Sequence, residues 1–305
     1  MYIVPEWRNL WYNISNMAKT LKEYILEAEE KGIAVGHFNI SNLEGVKAIV
    51  EAVSELKVPV IIGVSEGERN FVGVEEISAI VKAEKEKTGL PIFLNADHTH
   101  SFESAKKSID KGFDSITVDG SKLSLDENVK YVKSCVEYVV SKEKNVVIEC
   151  ELGYIGTSSE VHTEVPTDIA FDENSLTHPD DAAKLVRESG AFMLAPAVGN
   201  MHGMIGVGKD PKLNIKRIEE IRNATGVPLV LHGASGNSDE DVRSAIKAGC
   251  AVVHVNTELR VAFREGLESG LEENPDEVAA YKYEVSAVEQ MKKVVIDKLK
   301  LFNNL

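Results

Sequence analysis

From Gly32 onward the chain repeats one texture: a short β-branched run, then an amphipathic stretch of helical period. Runs apolar at consecutive positions belong to strands buried on both faces, which parallel sheets covered by helices provide. The first run spans Gly32 to Asn39 (GIAVGHFN). The second, VPVIIGVS, ends at Ser65, and the third, PIFLNADH, ends at His98. DSITVDG ends its strand at Asp119, and NVVIECEL ends near Glu151. AFMLAPAVG ends at Gly199, followed by VPLVLHG and AVVHVNT.

Helices are expected over Leu43–Glu55, Val74–Lys87, Phe102–Lys111, Ser124 to about Ser141, Asp180–Ser189, Ile215–Arg222 and Asp239–Ala248, and from Glu258. Ser41 with Glu44 and Ser124 with Glu127 read as capping boxes, and Thr177 with Pro179 as a helix start. The segment Gly153–Ser175 is polar and without periodicity. Eight strand-helix units in order predict an α/β chain folded as a (β/α)₈ barrel, one domain over residues 1–305. A helix at Ala18–Lys31 is expected to cover the bottom, and an extra amphipathic helix runs over Pro275–Leu301. An open doubly wound sheet would carry GxGxxG. The nearest match, Gly206–Lys212 (GVGKDPK), lacks the third glycine.

Bulk properties narrow the partners. A net charge of −15 over 305 residues excludes nucleic acid and anionic membranes as natural partners, though a local pocket can still take a small anion. Cys135, Cys150 and Cys250 show no CxxC spacing, which fits a reducing cytosol. The start, MYIVPEWRNLWYN, has no signal-peptide pattern, and no apolar run reaches the roughly 20 residues that span a bilayer.

Six of the eight histidines fall at strand ends: His37, His98, His100, His202, His232 and His254. In a barrel of this kind the site lies at the C-terminal strand ends. One mouth then gathers Asn39, Ser65, Asp97, His98, Asp119, Glu151, His202, His232, Asn256 and Thr257. Three neutral imidazoles with an open position make a catalytic divalent-metal site, usually zinc. The candidates are His98, His202 and His232. Asp119 and Glu151 could orient them or hold a second cation. A lone strand-end histidine is more often a hydrogen-bonded structural residue. Three in one mouth, beside carboxylates and the glycines of His202-Gly203 and His232-Gly233, favour the metal. His100 opens a helix, and His37 is ambiguous. Glu149 and Glu151 alternate along one strand, so both point into the barrel, where paired glutamates need a cation or donors. Lys209, beside the sixth strand, is an open candidate for an anion site.

These residues resemble the class II, metal-dependent fructose-bisphosphate aldolases, a family that includes tagatose-bisphosphate aldolases. The resemblance covers nearly the whole chain: AVGHFNISNLE, the pair Asp97-His98, ECELGYIGT, NMHG, LHGASG and VNTELR. It implies catalytic zinc on His98, His202 and His232, with Asp119 and Glu151 at positions of a second divalent or monovalent cation. Asp97 would be the acid/base at the hydroxyl of the cleaved bond. The substrate and its phosphate would be held by Asn39, Ser65, Gly203, Gly233, Ala234, Ser235, His254, Asn256 and Thr257. Zinc would polarise the C2 carbonyl and stabilise the enediolate left when C3–C4 breaks. The products would be dihydroxyacetone phosphate and an aldehyde phosphate.

The chain departs from the family pattern at three places. Asn95 stands where the first histidine of His-x-Asp-His is usual. His254 stands where a phosphate-contacting asparagine is usual. Ser159 aligns with the loop glutamate that protonates the enediolate, and its neighbour Glu160 is the substitute. The resemblance further implies a cytoplasmic homodimer or higher homo-oligomer acting on a small phosphorylated sugar. Fructose 1,6-bisphosphate is the first expectation, with tagatose 1,6-bisphosphate or a zinc- and phosphate-binding member without turnover as alternatives. A barrel metal-hydrolase would carry HxH on the first strand, where this chain has GHFN with the single His37.

Overall fold

The computed structural model describes residues 19–156, 159–167, 169, 172–206 and 210–305. Ala18, Thr157 and Lys209 lie outside them. The strands that close the barrel are β1 (Val35–Asn39), β2 (Val60–Val64), β3 (Ile92–Thr99), β4 (Ser115–Val118), β5 (Val147–Leu152), β7 (Met193–Pro196), β9 (Leu229–Leu231) and β10 (Cys250–Val255). All pair in parallel, and β1 closes on β10 with His37 opposite His254. These are the eight expected runs in the expected order, trimmed at their ends. Two further strands, β6 (Val161–His162) and β8 (Met204–Ile205), pair with each other and tie two loops together. β6 falls inside the segment read from sequence as aperiodic. A two-residue bridge leaves no period to read.

The helices are α1 (Leu21–Lys31), α2 (Leu43–Leu56), α3 (Glu66–Val72), α4 (Val74–Thr88), α5 (Phe102–Asp110), α6 (Leu125–Ser141) and α7 (Pro179–Ser189). They continue with α8 (Ile215–Thr225), α9 (Asp239–Lys247), α10 (Thr257–Glu273), α11 (Ala280–Tyr283) and α12 (Val285–Asn303). Leu21, Ile25 and Ala28 of α1 pack with Val35, Phe93, Val147, Met193 and Ala251 near the strand starts, so α1 seals the barrel's N-terminal end as expected. Its capping box is Thr20 with Glu23, and Gly32, read as the start of a strand, is its left-handed C-cap at φ 62°.

Four local expectations are corrected. Asn42, not Ser41, caps α2, its side chain accepting from the amide of Gly45. His178 caps α7, because the Thr177 hydroxyl bonds the carbonyl of Leu152 instead. The single helix expected over Pro275–Leu301 is the short α11 followed by α12, with Glu284 between them. The short helix α3 was not anticipated, although Ser65 and Glu68 form the capping box that announces it.

Outside the barrel, α12 lies against α2 and α10. Its Phe302 stacks on Phe38 of β1, with centroids 6.5 Å apart, and both rings are fully buried. Truncating a buried aromatic leaves an unfilled cavity, so Phe302→Ala is expected to lower stability by about 3–5 kcal/mol in urea unfolding. A loss below about 1 kcal/mol would show that α12 is not anchored there.

Candidate active site and metal centre

Barrel closure brings every strand's C-terminal end to one rim, and a cavity of about 210 Å³ opens there. Asn39, Ser65, Asp97, His98, Asp119, Ser159, His202, Gly203, Gly233, Ser235, His254, Asn256, Thr257 and Arg260 are among the residues that line it. Most of the distant residues assembled from sequence thus share one mouth, while Glu151 and His232 are buried beside His98 and His202 and do not line it.

Asp97 and His98 are consecutive, yet both enter this site. A regular strand would turn them to opposite faces. Here β3 breaks: its register with β4 jumps from Ala96 to Thr99, and His98 takes a left-handed backbone at φ 43°. His98 Nδ1 then lies 3.1 Å from both Asp119 Oδ2 and Glu151 Oε2, and its Nε2 lies 3.8 Å from Asp97 Oδ1. The ring of His98 meets those of His202 and His232 nearly edge-on, with centroids 4.7 and 5.0 Å away.

The donor set fits a divalent cation. His98, Glu151, His202 and His232 each offer one ligand atom, all within 4.8 Å of one another. His232 Nε2 donates to Glu149 Oε1 at 2.7 Å, which leaves the Nδ1 lone pair facing the cluster. That Nδ1 and Glu151 Oε2 are buried without a hydrogen-bond partner. A carboxylate hydrogen-bonded to the far nitrogen of a ligating imidazole is the usual way such rings are oriented.

Electrostatics agree. Burial, then the nearby His98, holds His202 well below its ordinary pKa and pushes His232 down to about 3, so both stay neutral and able to ligate. Burial alone would lower His98, but Asp97 and Glu151 outweigh it and hold His98 well above its ordinary value. Glu151 is pushed up to about 7 by burial. Three carboxylates in a dry cavity require a positive charge among them, which a metal ion would supply.

Two other groups of potential ligands lie deeper and fit less well. His37 and His254 stack with centroids 3.5 Å apart and planes within 2°. Their in-plane lone pairs run parallel, so the two rings cannot converge on one ion. In the group of Glu149, His232 and His254, His232 Nε2 is already spent on Glu149. These rings instead form a stack, His37 on His254 on His232, the last pair 4.1 Å apart. His37 Nε2 donates to Asn95 Oδ1 at 3.1 Å. Gly63 makes this possible, because a Cβ there would stand 2.0 Å from the His37 ring.

Asp97 is held ionised. Burial works against its charge, but His98, His254 and His37 outweigh it and hold its pKa well below the usual carboxylate range. Asn39 Nδ2 donates to Asp97 Oδ2 at 2.9 Å and to Glu68 Oε2 at 3.0 Å. Asp97 Oδ1 has no hydrogen-bond partner.

On the opposite side of the mouth, Gly203, Gly233, Ser235, Asn256 and Thr257 bring loops and the N-terminus of α10 together, a concavity suited to phosphate. At Gly233 the φ is +59°, and a Cβ would stand 2.1 Å from the Met201 carbonyl oxygen, so only glycine fits. The amide of Ala234 is bonded to the His254 carbonyl and is not free for a ligand. Glu160 is exposed and does not line the cavity, whereas Ser159 does. His100 is half-exposed at the rim, as a helix-opening residue would be.

Sequence reasoning did not assign Glu68, Arg69 or Arg260. The Ser65–Glu68 spacing was the available signal for the first two. Arg260 bonds Glu68 Oε1 at 2.8 Å and the Ser159 carbonyl at 3.2 Å.

A closed parallel barrel with a cluster of histidine and carboxylate donors at its C-terminal rim is the arrangement of a metal-assisted enzyme. Residues 19–305 match the family model described as fructose-bisphosphate aldolase class-II, and the chain belongs to that family. It is 37% identical over 286 residues to the fructose-bisphosphate aldolase of Staphylococcus aureus strain Mu50, covering 93% of this chain and 96% of that one. It is 36% identical over 286 residues, with the same coverage, to the fructose-bisphosphate aldolase of Staphylococcus epidermidis strain ATCC 35984. Among solved structures, the YdjI aldolase from Escherichia coli K12 superposes with a TM-score of 0.77 at 29% identity, over 94% of this chain and 97% of that one.

Glu149→Gln removes the carboxylate behind His232, and zinc affinity is expected to fall about 10–100-fold by chelator competition. Unchanged affinity would mean that His232 needs no orientation or is not a ligand.

Proposed function

We propose that this chain is a zinc-dependent aldolase that reversibly cleaves fructose 1,6-bisphosphate to dihydroxyacetone phosphate and glyceraldehyde 3-phosphate. The observation that carries this is the unpartnered Asp97 oxygen beside the converging donors of His98, His202, His232 and Glu151, facing a phosphate cradle. The whole chain acts as one catalytic unit, in the cytoplasm and as a homo-oligomer. Asp119 serves as the second partner of His98 and, with Glu151, offers a place for a further cation.

Bound to those donors, a divalent ion supplies Lewis-acid polarisation of the ketose carbonyl and a positive charge against the electrons released by C–C cleavage. The rest falls to the chain's own residues. Gly203, Gly233, Ser235, Asn256 and Thr257 hold the phosphate next to that carbonyl, with Ala234 shaping the loop. His254, lining the cavity above Asp97, and Ser65 with Asn39 flank the sugar. Asp97, fixed by Asn39, accepts the C4 hydroxyl proton as the C3–C4 bond breaks. Arg260 is the one guanidinium or ammonium lining the cavity among the described residues, and it offers charge to the second phosphate. Glu160 donates the proton that C3 requires, once its loop brings the carboxyl inward.

The position of Ser159 favours a second reading. With a serine facing the mouth and Glu160 outside it, the same donors and cradle suit a protein that binds zinc and a sugar phosphate without turning it over. Cleavage of tagatose 1,6-bisphosphate is the third, since the two sugars differ at one stereocentre, C4.

Chelator-stripped protein is expected to be inactive and to regain fructose 1,6-bisphosphate cleavage with zinc. Borohydride with substrate should trap nothing, and covalent trapping would overturn the metal mechanism. Tagatose 1,6-bisphosphate run in parallel names the preferred sugar. Stoichiometric zinc with neither sugar cleaved would favour the non-catalytic reading.

Asp97→Ala is expected to lower kcat by about 10²–10⁴-fold with zinc still bound. Retained turnover would show that the base is misassigned. Glu160→Gln is expected to slow exchange of the C3 proton of dihydroxyacetone phosphate, and an unchanged rate would place the carbon acid elsewhere.

A further inference from the structure

Arg69 sits on α3 with only 2% of its surface exposed, rare for an arginine, and lines no part of the cavity. A buried guanidinium normally faces a carboxylate. Here the nearest ion-pair partner is Glu66 at 3.9 Å, too far for a hydrogen bond. Its donors go to the strands instead. Nη1 donates to the main-chain carbonyls of Val64, at the end of β2, and of Asp97, the latter at 2.8 Å. Nη2 donates to Thr99 Oγ1 at 3.2 Å, and that hydroxyl donates to the carbonyl of Ala96 at 3.1 Å.

These acceptors bracket the break in β3. Pairing with β2 ends at Val64 and Ala96, and pairing with β4 skips from Ala96 to Thr99. The break leaves the buried carbonyl of Asp97 outside the registered pairs of both ladders, and such a group must find a donor or destabilise the fold. His98 meanwhile holds a left-handed backbone, which is strained in a non-glycine residue. A strand in this state would relax toward regular pairing unless something satisfied the broken position. Regular pairing would turn one of Asp97 and His98 away from the mouth.

We propose that Arg69 is a positioning residue that maintains the break in β3, and thereby holds His98 toward the metal donors and Asp97 toward the substrate at once. The planar fork suits this task, since it reaches two carbonyls and a hydroxyl together, whereas a lysine ammonium has no fixed fork. The inference rests on the metal-aldolase reading of the site.

The test uses the full-length Arg69→Met and Arg69→Lys variants. Methionine keeps length without burying an unpaired charge, and lysine keeps the charge. Each is stripped of metal and titrated with zinc against a chelator and with cobalt(II) by visible absorption. Arg69→Met is expected to weaken zinc binding about 10–100-fold, as loss of an outer partner of a ligand does. It should also change the cobalt absorption bands and lower kcat at saturating zinc more than it changes KM. Arg69→Lys should recover part of both losses, and it carries the test if the methionine variant does not fold. Wild-type zinc affinity and cobalt bands in either folded variant would overturn the proposal. Failure of the wild-type protein itself to bind either ion would overturn the metal reading together with it.

Discussion

Seven ionisable side chains, His37, Asp97, His98, Glu149, Glu151, His232 and His254, stand at the centre of the barrel. All but His98 are at most 6% exposed. The architecture around the mouth follows from how their charges are satisfied. A dry interior penalises an unpaired charge, and carboxylates answer by taking up a proton or by finding a cation. Burial tilts Glu149 and Glu151 toward the first course, raising their pKa values. Asp97 and Asp119 take the second, kept ionised above all by His98 against the cost of burial. The same cavity therefore holds carboxyls with opposite tendencies one or two strands apart. Separated affinities of this kind let one site both accept a proton and hold a cation.

The histidines divide by environment as well. His202 and His232 are neutral because burial and one charged neighbour leave no room for a second proton. His37 and His254 are pushed down to about 4 by burial, and they pack as flat, uncharged rings against His232. The stack does the work that aliphatic side chains do in the layers of other barrels. It fills the space below the donors and limits rotation of His232, whose remaining freedom is removed by Glu149. Polar residue types thus form a packed layer, which requires Gly63 on β2 to leave room for the His37 ring.

Much of this was legible in the chain. Strand ends could be read because consecutive apolar positions mark strands buried on both faces, and the barrel order follows once eight such units alternate with helices. That placed Asp97, His98, His202, His232, Asp119 and Glu151 on one rim. What could not be read depends on departures from regular geometry. Alternation alone would have separated Asp97 from His98, and nothing in the local residues announces the left-handed turn at His98. Its support comes from Arg69, 29 positions earlier by sequence number, on a helix too short to show a period. Helix starts failed for a related reason. At Thr177 and Ser41 the residue type was suited to capping, but a neighbour one position later took the role, and Thr177 was drawn off by the Leu152 carbonyl.

The loop that carries Ser159 is held by contacts that also reach the base. Arg260 donates to the Ser159 carbonyl and to Glu68 Oε1, and Glu68 Oε2 accepts from the same Asn39 amide that bonds Asp97. Asn256 Nδ2 adds a 3.3 Å bond to the Ser159 hydroxyl. An anionic substrate group entering the mouth would compete for the half-exposed Arg260. Drawing the guanidinium away would release the Ser159 carbonyl while leaving Glu68 bound to Asn39 and to the amide of Ser65. The base would keep its orientation while the neighbouring loop gained freedom to bring Glu160 inward. On the proposed mechanism, a rigidly fixed Asp97 and a Glu160 on a releasable tether would separate the two proton transfers in time. The proposed cleavage, followed by protonation at carbon, would require that order.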